Sequence, residues 1–319
     1  MKSIRTLLIM VLLIAGLVIF PAFAPPFIVY LLTEILIFSL FATSYNLLLG
    51  YTGQLSFGHS AYFGLGAYAS ALLLIHYPYI PLPLAFLFGA IMAGVGAIII
   101  GSFCIRKGGP YFAMLTLAFS QLIYAVALKW RTLTGGDDGM GGGARTVMDL
   151  FAFKVNLASM NGFYYLVLIL VLVSLLICWQ ITRSPFGKIL VAIRENQERT
   201  DFLGYKVGMH KLIAFIISGF FAGLAGAMFG SFQGFISPAL ISFKNSGDVL
   251  IMTFMGGTFS FFGPLLGAGI LITLNELLSA IMTHWIILYG IVFIIFVLFA
   301  PQGIMGFNFF RGRNSEAKR

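Results

Sequence analysis

Apolar residues run along this chain in long stretches separated by short polar joints, not in ten-residue segments of alternating pattern. A helix rises about 1.5 Å per residue, so about 20 apolar residues cross a hydrocarbon core. Ten stretches qualify, at approximately 7–24, 27–49, 58–76, 82–104, 110–129, 163–182, 212–232, 246–261, 263–282 and 284–300. Only helices and closed barrels satisfy their backbone groups inside lipid, and continuous runs of this length select helices. The pattern predicts an all-α polytopic membrane protein with about ten transmembrane segments, forming one membrane-embedded domain over 1–319. The stretches near 58–76 and 246–261 are rich in glycine and polar residues and are expected to be broken or re-entrant.

The first stretch has two readings. Lys2 and Arg5 precede an apolar run, and Ala22-Phe23-Ala24 has the small residues of a cleavage site, which is the layout of a signal peptide. Pro25, Pro26 and the further spans that follow favour a retained helix.

Composition removes whole classes. The chain is 60% hydrophobic and 9% charged, against about a quarter charged in an ordinary soluble domain. A soluble domain of this size could not hide that much apolar surface. A soluble enzyme, a disordered chain and a secreted disulfide scaffold are excluded. Cys104 and Cys178 both lie in apolar runs with no metal or disulfide spacing, and read as packing residues. The formal charge of +9 does not call for nucleic acid, because excess Lys and Arg in a membrane protein sets orientation. Ten crossings put both termini on one side. With that side in the cytoplasm, fourteen of the nineteen Lys and Arg residues lie inside, which is the expected bias.

Two loops are long enough to carry work. The external one, about 130–162, contains Thr134-Gly-Gly-Asp-Asp-Gly-Met-Gly-Gly-Gly143 and is expected to be flexible, with little to bury. The cytoplasmic one, about 183–211, reads as one helix from Pro185 to a stop at Gly204, with Leu190, Ile193 and Arg194 on one face. It is either a docking element or an interfacial helix lying on headgroups. A basic tail at 301–319 follows the last span.

Within the membrane, the stretch from Asn46 to Ser60 stands out. Asn46, Thr52, Gln54, Ser56, His59 and Ser60 alternate with Gly50, Gly53 and Gly58 between two apolar helices. Non-helical backbone at membrane depth survives only where protein or a water-filled cavity satisfies it, and broken helices of this kind form transport sites. Asn46, Gly53, Gln54, Ser56, Gly58 and His59 are therefore assigned to a translocation pathway. A similar texture recurs at Gly256–Gly269, a short match consistent with an internal repeat. Glu34 and Glu276 fall inside spans and Asp248 near the outer end of one, and each is costly against lipid. Glu34 and Glu276 join the pathway set, as a polar lining or as buried bonds between helices. Gly219 and Gly223, Gly226 and Gly230, and Gly263 and Gly267 are four apart, and read as close packing within the chain. His59 has no partner spacing for a metal. The chain has no phosphate-binding loop, zinc-protease motif, serine nucleophile elbow, arginine ladder or potassium filter. It reads as a passive path with no cofactor and no catalytic residue, driven by energy from elsewhere.

These residues resemble the permease subunits of branched-chain amino acid ABC importers, in particular the LivM-type member. The resemblance runs from about Ser44 to Gly306. It is carried by Asn46-Leu-Leu-Leu-Gly-Tyr-Thr-Gly-Gln-Leu-Ser-Phe-Gly-His59, Phe63-Gly-Leu-Gly-Ala-Tyr68 and Leu133-Thr-Gly-Gly-Asp-Asp-Gly-Met140. Further matches are Arg183-Ser-Pro-Phe-Gly187, Ala192-Ile-Arg-Glu-Asn196, Leu203-Gly204, Phe215 to Gly226, Ile236-Ser-Pro238 and Gly256 through Pro264. One departure is Arg199-Thr200, where members usually carry two small residues.

The resemblance implies a type II-like ABC importer permease in a bacterial or archaeal cell (inner) membrane, with both termini cytoplasmic. It implies a second permease subunit as heterodimer partner, two cytoplasmic ABC ATPase subunits and a periplasmic or lipid-anchored amino-acid-binding protein. In that arrangement the 183–211 loop contacts the ATPase: Ile193 and Leu203 as apolar anchors, Arg194, Glu195 and Asp201 setting register, and Gly204 ending the helix. A urea or short-amide importer shares much of this scaffold, and the Thr-Gly-Gly-Asp-Asp-Gly loop favours the amino acid reading. A self-sufficient channel or secondary carrier is the remaining alternative, and it has no use for an ATPase dock.

Overall fold

The structure is a computed structural model that describes residues 16–106, 108–142, 147–150, 153–157 and 159–281, with isolated positions between 287 and 305. Half of the predicted segment 7–24, much of 284–300 and nearly all of the basic tail lie outside the described residues. The long helices are α1 (Pro26–Thr52), α2 (His59–His76), α3 (Leu82–Cys104), α4 (Pro110–Lys129) and α5 (Met160–Arg183). Two short helices follow, α6 (Pro185–Glu195) and α7 (Gln197–Phe202), and then α8 (Val207–Gln233), α9 (Phe243–Gly256) and α10 (Gly263–Ile281). The predicted segments within this region lie within a few residues of these helices, because Pro or Ser stands at most starts and Gly at several ends.

Among the described residues, six helices are long and apolar enough to cross a membrane: α1, α3, α4, α5, α8 and α10. The other two are different in kind. α2 has the length, but five of its residues are His, Ser or Tyr in its first twelve. α9 has 14 residues, about 21 Å of helix against a core of about 30 Å. It does not cross by itself.

α1 and α8 form the centre. α8 packs on α1, α2 and α3, and α1 also packs on α5, α9 and α10. The glycine spacing makes this possible. A Cβ on Gly226 would strike the carbonyl of Phe63, and one on Gly66 would strike Gly223. Backbone therefore lies on backbone where α2 crosses α8, as small residues allow in lipid. Gly219 and Gly223 face Ala97 and Ala93 of α3. Gly267 faces the carbonyl of Met252, so the glycine pairs serve packing within this chain. Above the crossing, Phe38 and Phe41 of α1 meet Phe63 of α2 and Phe229 of α8, with ring centroids 4.5–5.9 Å apart.

Two sequence expectations change here. The glycine-rich part of the 130–162 loop is anchored. Met140–Gly141 pairs antiparallel with Phe235–Ile236 just after α8. The Gly142 N–H donates to the Gly234 carbonyl at 3.0 Å, and Ser231 Oγ donates to the Gly142 carbonyl. A Cβ at Gly142 would meet Gly230, so this glycine lets the loop lie against the end of α8. The helix expected from Pro185 to Gly204 is also not continuous. Asn196 is extended (φ −158°) and its side chain accepts from the Arg199 N–H at 2.8 Å. Asparagine caps a new helix better than it continues an old one, so the stretch divides into α6 and α7.

Candidate functional site

α1 ends where Gly53 takes φ +71°, a conformation that costs glycine nothing. The chain then runs non-helically to Gly58 before α2 begins. It turns back alongside α1: Tyr45 Oη donates to the Ser56 carbonyl at 3.1 Å, and Ser44 Oγ lies 3.1 Å from His59 Nε2. The exposed backbone groups of the break find side chains. The Phe57 N–H donates to Thr116 Oγ1 of α4 at 3.2 Å, Gly58 to Ser56 Oγ, and Ser60 to Ser246 Oγ of α9. Polar residues recur here because a helix broken in an apolar medium must satisfy its freed donors.

Asn46, Gln54, Ser56 and His59 are all buried within the single chain, none more than 6% exposed. His59 sits among the rings of Phe41, Tyr45 and Tyr62, 5.1–5.9 Å away. Gly58 has no room for a side chain, since a Cβ would meet the Thr116 carbonyl. The Gln54 amide finds no hydrogen-bond partner among the described residues. Glu34 of α1 and Glu276 of α10 are half-buried and interact electrostatically across the seam between these helices.

The second glycine-rich stretch lies against the first. Asn46 Nδ2 donates to the Ser260 carbonyl at 3.2 Å. A Cβ on Gly50 would meet the Thr258 carbonyl. The shared texture of the two stretches is legible in the sequence, and the repeated Gly-Ser-Phe pattern is the signal for Thr258, Phe259 and Ser260, which only the structure brings to the site.

Arg194 touches both stretches. Its guanidinium donates to the Gly50 carbonyl at the end of α1, and its carbon centre stands 4.9 Å over the Phe259 ring. Its side-chain stem lies 3.0 Å from where a Cβ on Gly53 would stand. A carbonyl near a helix C-terminus carries partial negative charge, so a guanidinium is well placed there. Arg194 is thus engaged inside the chain. Ile193 is likewise buried at 3% exposure, beside Leu190 at 1%, as α6 packs on α1, α5 and α8. Glu195, Asp201 and Gly204 are exposed. The apolar surface on this segment belongs to Phe202, 91% exposed, and Leu203, 71% exposed. Phe202 was missed in the sequence, where a phenylalanine inside Gln-Glu-Arg-Thr-Asp-Phe was the available signal. α7 is held in place by Lys211 of α8, whose Nζ donates to Gln197 Oε1 at 2.7 Å.

Comparison with known proteins places this arrangement. Residues 27–301 match the family described as "Branched-chain amino acid transport system / permease component". The chain is 30% identical over 295 residues to the high-affinity branched-chain amino acid transport system permease protein LivM of Escherichia coli K12, covering 86% of this chain and 68% of that protein. It is 25% identical over 286 residues to the corresponding LivH protein of the same organism, covering 84% and 91%. The ribose import permease protein RbsC of Haemophilus influenzae is 24% identical over 220 residues, covering 67% and 65%. No solved structure matches the chain.

Proposed function

The chain belongs to the permease-component family of branched-chain amino acid transport systems, and on that premise we propose that it is one membrane subunit of an ATP-driven importer of branched-chain amino acids. It pairs with a second permease subunit, receives cargo from a binding protein outside, and takes mechanical work from two ATPases inside. ATP hydrolysis resides on those partners. The single observation that carries the mechanism is Arg194. It connects a cytoplasmic helix pair to the end of α1 and to the facing break at Thr258–Ser260.

The mechanism follows from these contacts. Phe202 and Leu203 present an apolar surface to an ATPase groove, with Glu195 and Asp201 beside it to set register. Gly204 (φ +88°) ends the element and returns the chain to α8. A tilt of α6 and α7 moves Arg194, and Arg194 moves both breaks. Asn46, Gln54, Ser56 and His59 keep the first break in one arrangement, Gly53 and Gly58 let it turn and pack, and Glu34 with Glu276 adds acidic groups towards the outer side of the route. A conduit of this kind needs weak contacts only, since it must release what it admits.

Reconstituted with its second permease subunit, the ATPases and the binding protein, the complex is expected to accumulate leucine, isoleucine and valine on ATP addition. Arg194→Met is expected to lower that uptake about tenfold, the loss of one hydrogen bond from a charged group of roughly 1.5 kcal/mol. Transport of urea in place of leucine would replace the substrate reading. Full uptake by Arg194→Met would remove the proposed link.

Ten passes are the reading of the apolar runs, and the Lys and Arg asymmetry supports placing both termini and 183–211 in the cytoplasm. α9 counts as a pass that does not fill the whole thickness, and α2 as a full-length pass with polar residues in its first part. Glu198→Cys is expected to react with an impermeant reagent only after the inner face is opened, and Asp138→Cys in intact cells. Reaction of the first from outside would invert the topology.

A further inference from the structure

The charge tally places Lys244 on the outer surface and Asp248 near the outer end of a span. Packing puts them deeper. The Ile241 carbonyl, three residues before Lys244, accepts from Ser60 Oγ at 3.0 Å and Ser120 Oγ at 3.4 Å. Ser120 lies halfway along α4, ten residues from Pro110 and nine from Lys129, so about 15 Å from either end. Ser246 Oγ donates to Ser60 Oγ at 2.7 Å. Thr253 Oγ1 reaches the Ala42 carbonyl at 3.4 Å, well inside α1. The first three turns of α9 therefore stand at the middle of the helices that cross the membrane.

One stripe of α9 is open at that depth. Ser246, Val249, Met252 and Thr253 are buried. Lys244 and Phe254 are exposed, and Gly247, Asp248 and Ile251 are partly so, three or four residues apart along one face. Gly247 has nothing within 4 Å of where its Cβ would stand. The exposed stripes of the other helices differ. On α3 they carry Leu87, Ile91, Val95 and Ile98, and on α5 Ile169, Val173 and Leu176. Those faces suit lipid. A lysine and an aspartate at mid-depth do not, and such residues face water or protein inside the assembly.

We propose that the Lys244–Asp248–Ile251–Phe254 face of α9 lines the water-filled route and is the place where a passing amino acid is recognised, its carboxylate by Lys244, its ammonium by Asp248 and its apolar side chain by Ile251 and Phe254. This rests on the importer reading above. The chemistry fits a zwitterion with a hydrocarbon side chain: two opposite charges one helical turn apart, then an apolar step. Both charges already interact with neighbours in the chain, and a zwitterion exchanges with those partners as it passes. The contact is weak for that reason, as a conduit requires.

The test uses the assembled complex with Cys104→Ala and Cys178→Ala. Lys244→Cys and Asp248→Cys are expected to react with a small charged thiosulfonate at least about tenfold faster than Ile169→Cys, because the reagent enters water and not hydrocarbon. Leucine is expected to slow the reaction at both positions. Lys244→Gln and Asp248→Asn are expected to lower leucine uptake about tenfold each, with Lys244→Arg retaining most of it. Rates at 244 and 248 no faster than at 169, in a complex whose parent takes up leucine, would overturn the proposal. Fast reaction at both positions in a complex that moves no branched-chain amino acid would sink the zwitterion assignment together with the substrate reading. Failure of the parent complex to hydrolyse ATP in response to its binding protein would sink the importer reading and the amino acid recognition that rests on it, whereas accessibility at 244 and 248 still decides whether this face meets water.

Discussion

Replacing Phe202 and Leu203 by aspartate is expected to bring stimulated ATPase activity down to its basal rate and uptake to background, while both permease subunits still reach the membrane together. The two side chains are 91% and 71% exposed within the chain. Surface substitutions of this kind usually change stability by only about 0.5 kcal/mol. The chain itself therefore loses little. A partner groove loses much more: two large apolar groups buried at an interface contribute roughly 1.5–3 kcal/mol each, and carboxylates there are desolvated without a partner. Together these exceed about 4 kcal/mol, a factor of roughly a thousand in association. Phe202→Leu, which keeps an apolar side chain, should retain most activity. Pull-down of the ATPase by the double variant at wild-type strength would mean that α6 and α7 lie on headgroups, and the coupling mechanism would fall.

The second large effect concerns the crossing of α2 and α8. Gly226→Leu is expected to prevent accumulation of the folded subunit. A first side-chain carbon at this position already meets the Phe63 carbonyl, which is backbone and cannot turn away. Overpacking costs typically 1–3 kcal/mol when side chains can shift, and more is expected where only whole helices can move. The displaced helices also carry Phe63 and Phe229, so the aromatic cluster between them opens. Gly208, on the same helix, provides the comparison. Nothing lies within 4 Å of its missing Cβ, so Gly208→Ala is expected to be neutral or to raise thermal stability, by up to about 1 kcal/mol. Equal yields of Gly226→Leu and the parent would show that the two helices do not meet backbone to backbone.

Much of this protein was legible along its chain. Hydrocarbon cannot be hidden in water and a broken backbone cannot be left bare in lipid, so the apolar runs and polar joints marked the helices from Pro26 to Ile281 closely. The same reasoning marked a broken stretch between Asn46 and Ser60 and a helical stretch after Pro185, since both depend on neighbouring residues. The sequence also showed that Glu34, Asp248 and Glu276 needed protein or water around them, because the cost of a charge in hydrocarbon does not depend on the fold.

Three matters were decided by tertiary structure. The first was which way a side chain points when its partner is far along the chain. Arg194 reads as a charge that sets register against a partner, yet it bonds the Gly50 carbonyl of this chain, 144 residues away. Ile193 reads as an anchor for a partner and is covered by this chain instead, which leaves the exposed role to Phe202 and Leu203. The second was pairing without pattern. A two-residue ladder between Met140–Gly141 and Phe235–Ile236 has no alternation to read, so an anchored loop looked flexible. The third was depth. Hydropathy counts residues and assumes each apolar run starts at a surface, but Ile241 is tied to the middle of α4 by Ser60 and Ser120, so α9 begins beside the midpoint of a long apolar helix and not beside its end. Local sequence determined what each segment prefers, because those preferences arise from solvent and neighbouring residues. Hydrogen bonds and close backbone contacts between distant segments set the height and facing of each one, and no local pattern encodes them.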